Sequence, residues 1–532
     1  MRKYLIYYIL LFTVVTGFYF LFAYFQLSGG QFIYPIDDAY IHLAIARKFG
    51  ESGFWSINFN SFDSASSSIL YTLLLSSLIK IFGNNIYYPM FLNIVAGYLT
   101  TYWIYKYFKY FYSEKELKLG LFLFLPISLL YVMVILGMEQ TIHILLSVMA
   151  IYFIKKNFNS DFFDKKDSVK LLFTILFLAM VRFESMFFIF CLGIILLVNK
   201  KLKEAILVFL FGALPIIIFG ALSVMKGGFF FPNSVIIKGS YPEGNILISI
   251  WSIFKNGILL NISFYKLFMF PLICIGIYMF DQYKGQKFKI LLKKEYLLLI
   301  IVGTILLQSI FAMIKYRYEN YLMIMLVLVM VPMGVEYFKK IKFEKKGPAN
   351  YLFAVFFIGF CLVGVYRFWV SHLAVKNSSK NVEEQQVEMG RFLNRFYKGQ
   401  KVVANDIGAI AYFGNVQLLD IVGLGSTDIA RFYIENKGLD ETELNNILYI
   451  FLTNYISEND YKVAVIYPDW YPDHVPGNWI PVASWKIKNS LGTAQNRVVW
   501  YAFDQKQAKI LKENLKKFDL NKNVIEYLYI YE

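Results

Sequence analysis

Two adjacent carboxylates, Asp37 and Asp38, stand in the stretch YPIDDAYIHLAIARKFG, residues 34–50, shortly after a long apolar N-terminal segment. A carboxylate placed there has two uses. It caps a helix whose apolar face is Ile41, Ala44, Ile45 and Phe49, bonding free N–H groups at the positive dipole end. Or it faces a substrate as a general base. Neighbours point in different directions, so one can cap while the other does chemistry. Glu139 and His143 are four apart at the start of an apolar run and share a helix face, as a mutually satisfied polar pair, as support for other groups of a site, or as metal ligands. Two ligands at helical spacing are a weak metal signal. Arg182 and Glu184 stand two apart among apolar residues, so in a regular helix each pairs elsewhere. Asn233 and Lys238 fall in FFPNSVIIK, and Arg317 in KYRYEN. The two cations serve either as anchors to lipid headgroups or as clamps on a phosphate.

The elements that must position these groups are apolar. The 532 residues are 58% hydrophobic, 19% aromatic and only 17% charged, with a mean hydropathy of +0.51. Several apolar runs reach the roughly 20 residues that cross a bilayer. This is the composition of a polytopic membrane protein. The net charge of +16 does not point to nucleic acid. From residue 371 onward 18 Lys and Arg face 19 Asp and Glu, so the whole excess lies earlier, in short loops between apolar runs. There it sets topology. Cys191, Cys274 and Cys361 all fall in apolar segments, which excludes a disulfide framework or a metal knuckle.

The N-terminal run begins with basic residues and is long for a signal peptide, so it reads as a retained first helix with its start in the cytoplasm. Basic clusters recur around residues 106–118, 155–166, 200–203, 284–294 and 339–346. The positive-inside rule puts each on the cytoplasmic side. Spans near 4–26, 87–108, 119–135, 138–155, 171–186, 187–199, 204–225, 262–280, 296–314, 321–337 and 351–370 satisfy them all, about eleven in number. Residues 66–82 must then not cross, and they read as an interfacial helix within a first outer loop, 27–86. The short segments 171–186 and 187–199 imply tilted or broken helices. Every polar motif named above lands at the outer face, where ionisable groups cost roughly 2.5–3.5 kcal/mol each and usually mark function. Residues 1–370 thus form a transmembrane domain, 371–398 a linker helix, and 399–532 an extracytoplasmic α/β domain. Its strands are expected in KVVAND, VQLLDIVGL, YKVAVIYP and NRVVWYAF, with a helix in AKILKENLKKF. Asp406 and Asp420 either border the site or cap turns of that domain.

The order DDAY, ASSSILYTLLLS, LGMEQTIHILLSVMAIYF, MVRFES, FFPNSVIIK and KYRYENYLM resembles GT-C-type membrane glycosyltransferases, nearest the bacterial branch containing the terminal arabinofuranosyltransferases. VANDIGAIAYFGNVQLLDIVGLGSTDIA is similar to the opening of the extracytoplasmic domain in that branch, and the likeness ends near residue 431. The resemblance implies a polyprenyl-phosphate-linked sugar as donor. The acceptor would be a hydroxyl of a glycan, glycolipid or protein at the outer face of a bacterial cytoplasmic membrane. It also implies an acidic residue of the pair as catalytic base, Asp37 being favoured over Asp38. Glu139 carries over from a Gly-Leu-Glu-Thr-like motif, with Met138 and Gln140 departing from it. Arg182 and Glu184 carry over from Arg-Pro-Glu without the proline. A phosphate leaving group needs its growing charge stabilised, by Lys238 and Arg317 or by a divalent cation such as Mg, Mn or Ca. One base and one displacement predict inversion. A lipid-linked glycan polymerase or ligase is the nearest alternative. A transporter or flippase would instead show inverted repeats and a midplane site. A scaffold that binds glycan without catalysis would keep binding when Asp37 or Asp38 is replaced.

Overall fold

An apolar run in hydrocarbon can satisfy its backbone only within itself, and here all the runs expected to span are helical. The computed structural model describes residues 2–529 apart from 28, 59–60, 159–164, 240–245, 313, 315, 344–346 and 472–473. Lys315, Lys345 and Lys346 therefore lie outside the described residues. Among the described residues six helices are long and apolar enough to cross a membrane: Arg2–Tyr24, Glu114–Leu136, Leu202–Met225, Ile262–Tyr283, Asn320–Lys342 and Pro348–Phe396. The other expected spans are the helices Tyr88–Phe111, Gln140–Asn157, Lys165–Val181, Ser185–Val198 and Tyr296–Phe311. The molecule is a multi-pass membrane protein with a small C-terminal sheet domain. In the first loop the helices Asp38–Ser52 and Ile69–Phe82 pack together. The second of these has 14 residues, short of the roughly 20 that span a bilayer.

The lysine-rich loops gather at one end of the bundle. Lys201 donates to the Phe158 carbonyl, Lys155 to the Tyr112 hydroxyl, and Asn199 Nδ2 to the Leu292 carbonyl at 3.3 Å. Tyr8 reaches the Lys118 carbonyl at 3.5 Å, and Lys340 pairs with Asp281 at 3.6 Å. The polar motifs lie at helix breaks elsewhere. The Glu114–Leu136 helix is interrupted at Leu129, in the left-handed region at φ 52°, and ends at Gly137, φ 72°. At Gly137 a Cβ would lie 2.4 Å from the Tyr34 ring, so only glycine admits both the turn and the close approach. Tyr71 Oη donates to the Gly137 carbonyl at 3.0 Å and Asn93 Nδ2 to the Met138 carbonyl at 2.9 Å. These bonds hold the turn that presents Glu139.

The last span does not stop at residue 370. It runs as one helix, Pro348–Val382, then through a π-helical turn, Glu383–Val387, into Glu388–Phe396. The chain enters a six-stranded sheet of order β2-β1-β3-β5-β4-β6. The strands are β1 (Lys401–Ala404), β2 (Gln417–Asp420), β3 (Val463–Ile466), β4 (Ile480–Lys486), β5 (Arg497–Ala502) and β6 (Ile525–Leu528). β2, β1 and β3 are parallel; the other pairings are antiparallel. The four strands expected from sequence are β1, β2, β3 and β5, and the expected helix is Gln505–Lys517. Val403, Leu419, Ala464 and Val499 face the helices Thr427–Glu435 and Glu441–Glu458. Val402, Val465, Trp485 and Trp500 belong to the core that continues into the bundle through Phe392.

Arg367, on the last span, is buried and reaches the turn before the Asn320 helix. Its guanidinium donates to Glu319 and Asn320 at 2.7 Å each, and to the carbonyls of Tyr316 and Ile127 at 3.1 Å. Removing it strands the fully buried Glu319 carboxylate. Arg367→Met is expected to cost about 3–5 kcal/mol, read as a lower unfolding midpoint of the solubilised protein. The double variant with Glu319→Leu recovers most of it; no recovery would show that the ion pair is not what holds the turn.

Candidate active site

Asp37 and Asp38 have separate fates. Asp37, 7% exposed, is the residue before the Asp38–Ser52 helix, yet its side chain makes no cap bond to that helix. Its carboxyl oxygens instead accept the N–H groups of Gly408 at 2.5 Å and Ala409 at 2.7 Å, the first two residues of the helix Gly408–Phe413. The sequence expectation of a cap holds in chemistry but not in address: the capped helix lies some 370 residues away. A Cβ at Gly408 would fall 2.1 Å from the Asp37 carbonyl oxygen, so the approach requires glycine. Asp37 is also hydrogen-bonded to Asp406, which accepts from Gln386 Nε2 at 2.8 Å. Burial first, then the Asp406 charge and hydrogen bond, raises the Asp37 carboxyl well above its ordinary value. Burial raises Asp406 as well. The two carboxyls are hydrogen-bonded to each other and join the first loop to the sheet domain. Asp420 keeps to its own turn, accepting from Val422 N at 2.9 Å and Gly425 N at 2.8 Å.

Asp38, the first helical residue, has a side chain 30% exposed and lines a cavity of about 540 Å³. Asp37, the residue that the resemblance favours as base, does not line that cavity. Arg317 pairs with Asp38 and also donates to Tyr318 Oη at 3.2 Å. Burial pushes the Asp38 carboxyl up, but the charges of Arg317 and Lys238 outweigh it and hold the group at about 2. Lys238 lines the same cavity from the short helix Asn233–Lys238. Asn233 does not line it. Asn233 Nδ2 donates to the Leu424 carbonyl at 3.3 Å, and its N–H to the Ser64 carbonyl at 3.2 Å, tying the first loop to the sheet domain.

Behind Asp38 the polar groups close into a ring. The Tyr318 ring lies between two guanidiniums, Arg317 at 5.1 Å and Arg182 at 4.6 Å from its centroid. Arg182 donates to Glu139 Oε1 at 2.6 Å and to both oxygens of Glu184. The expectation that Arg182 and Glu184 cannot meet fails because residues 182–184 are a break between the helices Lys165–Val181 and Ser185–Val198. Outside helical geometry, residues two apart can converge. Glu139 accepts from Ser67 Oγ at 2.9 Å and faces His42 Nε2 at 3.2 Å. His42 follows Asp38 by one helical turn, which completes the circuit.

Glu139 and His143 do not form the expected pair. Glu139 precedes the Gln140–Asn157 helix, while His143 Nε2 meets Ser185 Oγ at 3.0 Å and stacks on Tyr321 at 4.1 Å. Each acidic group at the cavity is already matched by a guanidinium, and no three His, Cys, Asp or Glu among the described residues form a metal-binding group. His42, Ser67 and Tyr318 escaped the reading of the sequence. For His42 the signal was present, a histidine four residues beyond Asp38.

This architecture matches solved structures. ArnT from Cupriavidus metallidurans aligns over 94% of this chain and 98% of its own at 10% identity, with TM-scores of 0.51 for the apo state and 0.52 bound to undecaprenyl phosphate. The Archaeoglobus fulgidus oligosaccharyltransferase AglB, in complex with an inhibitory peptide and a dolichol-phosphate, aligns over 99% and 76% at 11% identity and TM-score 0.50. The same oligosaccharyltransferase in complex with Zn and sulfate aligns at TM-score 0.50 and 11% identity, over 98% of this chain and 74% of its own. The chain has a GT-C-type fold. Residues 380–501 match a domain of unknown function, DUF8728. Among curated proteins no sequence matches.

The Asp37–Asp406 pair has a pH signature. Carboxyls raised in the folded state stabilise it fully below their unfolded value of 3.8, and that contribution is lost as pH rises through the raised value. Asp63 and Asp420, which burial pushes up to about 6, act with the same sign. The unfolding midpoint should therefore fall as pH rises from 4 toward neutrality, and Asp406→Asn should flatten that fall. A variant profile parallel to wild type would exclude a shared proton.

Proposed function

We propose that the protein is an inverting glycosyltransferase that takes a sugar from a polyprenyl-phosphate donor and gives it to an acceptor hydroxyl. One observation carries this reading: a partly exposed carboxylate, Asp38, which Arg317 pairs with, and the cation Lys238 line a cavity walled by Phe183, Phe187, Ile217 and Phe231. The apolar wall suits an isoprenoid tail and the cations suit its phosphate. The undecaprenyl phosphate and dolichol-phosphate held by ArnT and AglB support the same donor class.

In this mechanism Asp38 takes the proton of the acceptor hydroxyl. The acceptor oxygen bonds to the anomeric carbon from the face opposite the phosphate. The bond from that carbon to the phosphate oxygen breaks, and polyprenyl phosphate leaves with the electron pair. Lys238 and Arg317 stabilise its added charge. The resting Arg317 pair holds Asp38 ionised but weakly basic. An incoming phosphate draws Arg317 toward itself and makes Asp38 a better base. Glu139, Arg182, His42 and Tyr318 hold these partners in place. The basic loops face the cytoplasm in this reading, and Asp38 faces outward at a bacterial inner membrane. The motif order supports a donor of the kind used in the terminal arabinofuranosyltransferase branch.

Mass spectrometry of polyprenyl-phosphate sugars and surface glycans, with and without the protein, tests the reading. One lipid-linked sugar should accumulate when the protein is absent. In a transfer assay with that donor, Asp38→Asn should cut turnover per folded molecule about 10²–10⁴-fold. Asp37→Asn should lower the midpoint more than turnover per folded molecule. Full turnover in Asp38→Asn would overturn the assignment.

A further inference from the structure

The ring of Arg182, Glu139 and Tyr318 is backed by a second set of polar side chains that the transfer step does not use. They come from four helices, near the ends that meet the helix breaks: His143 from Gln140–Asn157, Ser185 from Ser185–Val198, Gln308 from Tyr296–Phe311 and Tyr321 from Asn320–Lys342. All four are buried, Ser185 and Gln308 completely. Polar groups so placed in an apolar bundle cost free energy unless they are bonded.

Their contacts run as one chain. His143 Nε2 meets Ser185 Oγ at 3.0 Å, and the His143 ring stacks on Tyr321 with centroids 4.1 Å apart. Tyr321 donates its hydroxyl to Gln308 Oε1, which leaves Gln308 Nε2 to donate to the Tyr318 carbonyl at 3.3 Å. At the other end of the chain, the Ser185 N–H donates to the Arg182 carbonyl at 3.1 Å. The chain therefore joins the break that carries Arg182 to the turn that carries Arg317.

That turn needs holding. Tyr316 stands at φ 38°, in the left-handed region, where a side chain as large as tyrosine is strained. A strained turn keeps its shape only where its surroundings over-determine it. Arg367 fixes one side through the Tyr316 carbonyl, Glu319 and Asn320. Gln308 fixes the other through the Tyr318 carbonyl. Arg317 lies between the two fixed points, and its guanidinium pairs with Asp38. Any shift of this backbone moves the cation that answers the cavity carboxylate.

We propose that Gln308, Tyr321 and His143 are positioning residues: they set where Arg317 stands, and through it how firmly Asp38 is held as an anion. None of the three lines the cavity. The proposal rests on the transferase reading for its purpose, since the proton that Asp38 takes is the acceptor's. The charged and titratable groups facing Asp38 are Arg317, Lys238, His42 and Asp406, and of these only Arg317 is carried on the held turn.

Dicyclohexylcarbodiimide, an apolar reagent that adds to protonated carboxyls, reads Asp38 without any transfer. The full chain in nanodiscs is treated at about pH 5 and digested, and the Asp38 adduct is quantified by tandem mass spectrometry, with Asp38→Asn as the blank. Gln308→Leu, Tyr321→Phe and His143→Leu should each raise Asp38 labelling about tenfold, the change expected when a carboxyl moves up by about one pH unit. Asp63 is the control: burial pushes its carboxyl up to about 6, so it is largely protonated already and reports access alone. Its labelling should stay at the wild-type level. Where Gln308→Leu or His143→Leu does not fold, Tyr321→Phe decides, because it keeps the ring on His143 and removes only the bond to Gln308. Unchanged Asp38 labelling in Tyr321→Phe, or an equal rise at Asp63, would overturn the proposal. A rise at Asp38 in a protein that transfers no sugar sinks the transferase reading and leaves the positioning of Arg317 intact; active transfer with wild-type labelling in every variant does the reverse.

Discussion

A charge near hydrocarbon must be matched by an opposite charge or be lost as an ionised group. Everything at the head of this bundle follows from that constraint. Asp38 is matched by Arg317, and Glu139 and Glu184 by Arg182, each cation coming from a break between helices. Tyr318 has a guanidinium near its ring from each arginine, Arg182 at 4.6 Å and Arg317 at 5.1 Å from the centroid. The result is a polar ring that is rigid where it is buried and open at Asp38.

The neighbouring aspartate does different work by the same rule. Asp37 finds no cation, so it meets the positive end of the helix Gly408–Phe413 and a second carboxyl, Asp406. That arrangement locks the sheet domain onto the first loop. Because Asp37 and Asp38 are consecutive, the position of the docked domain and the direction of the cavity carboxylate are set by one short stretch of backbone. The last span reinforces this by running unbroken into the domain it carries.

Much of this was legible in the residues. Lysine clusters in short loops separated the two ends of the bundle, since a charged loop cannot be drawn through hydrocarbon. The apolar runs gave the helices, and β-rich runs bounded by Gly, Asn and Asp gave four of the six strands. β4 and β6 escaped because β4 begins with Ile-Pro and mixes polar with buried positions, while β6 is a short edge strand. The residues of the site were mostly named, but their pairings were not. Arg182 and Glu184, two apart, were expected to pair elsewhere, yet they meet because they sit in a break; Glu139 was given to His143 when it belongs to Arg182, Ser67 and His42.

The sequence by itself determined which residues had to be polar in an apolar chain and at which end they had to emerge, because composition and loop charge act locally. Only the tertiary structure decided which aspartate faces the cavity and which arginine answers it. Those facts depend on contacts between residues hundreds of positions apart, and no local pattern encodes the direction in which a side chain leaves a break between helices.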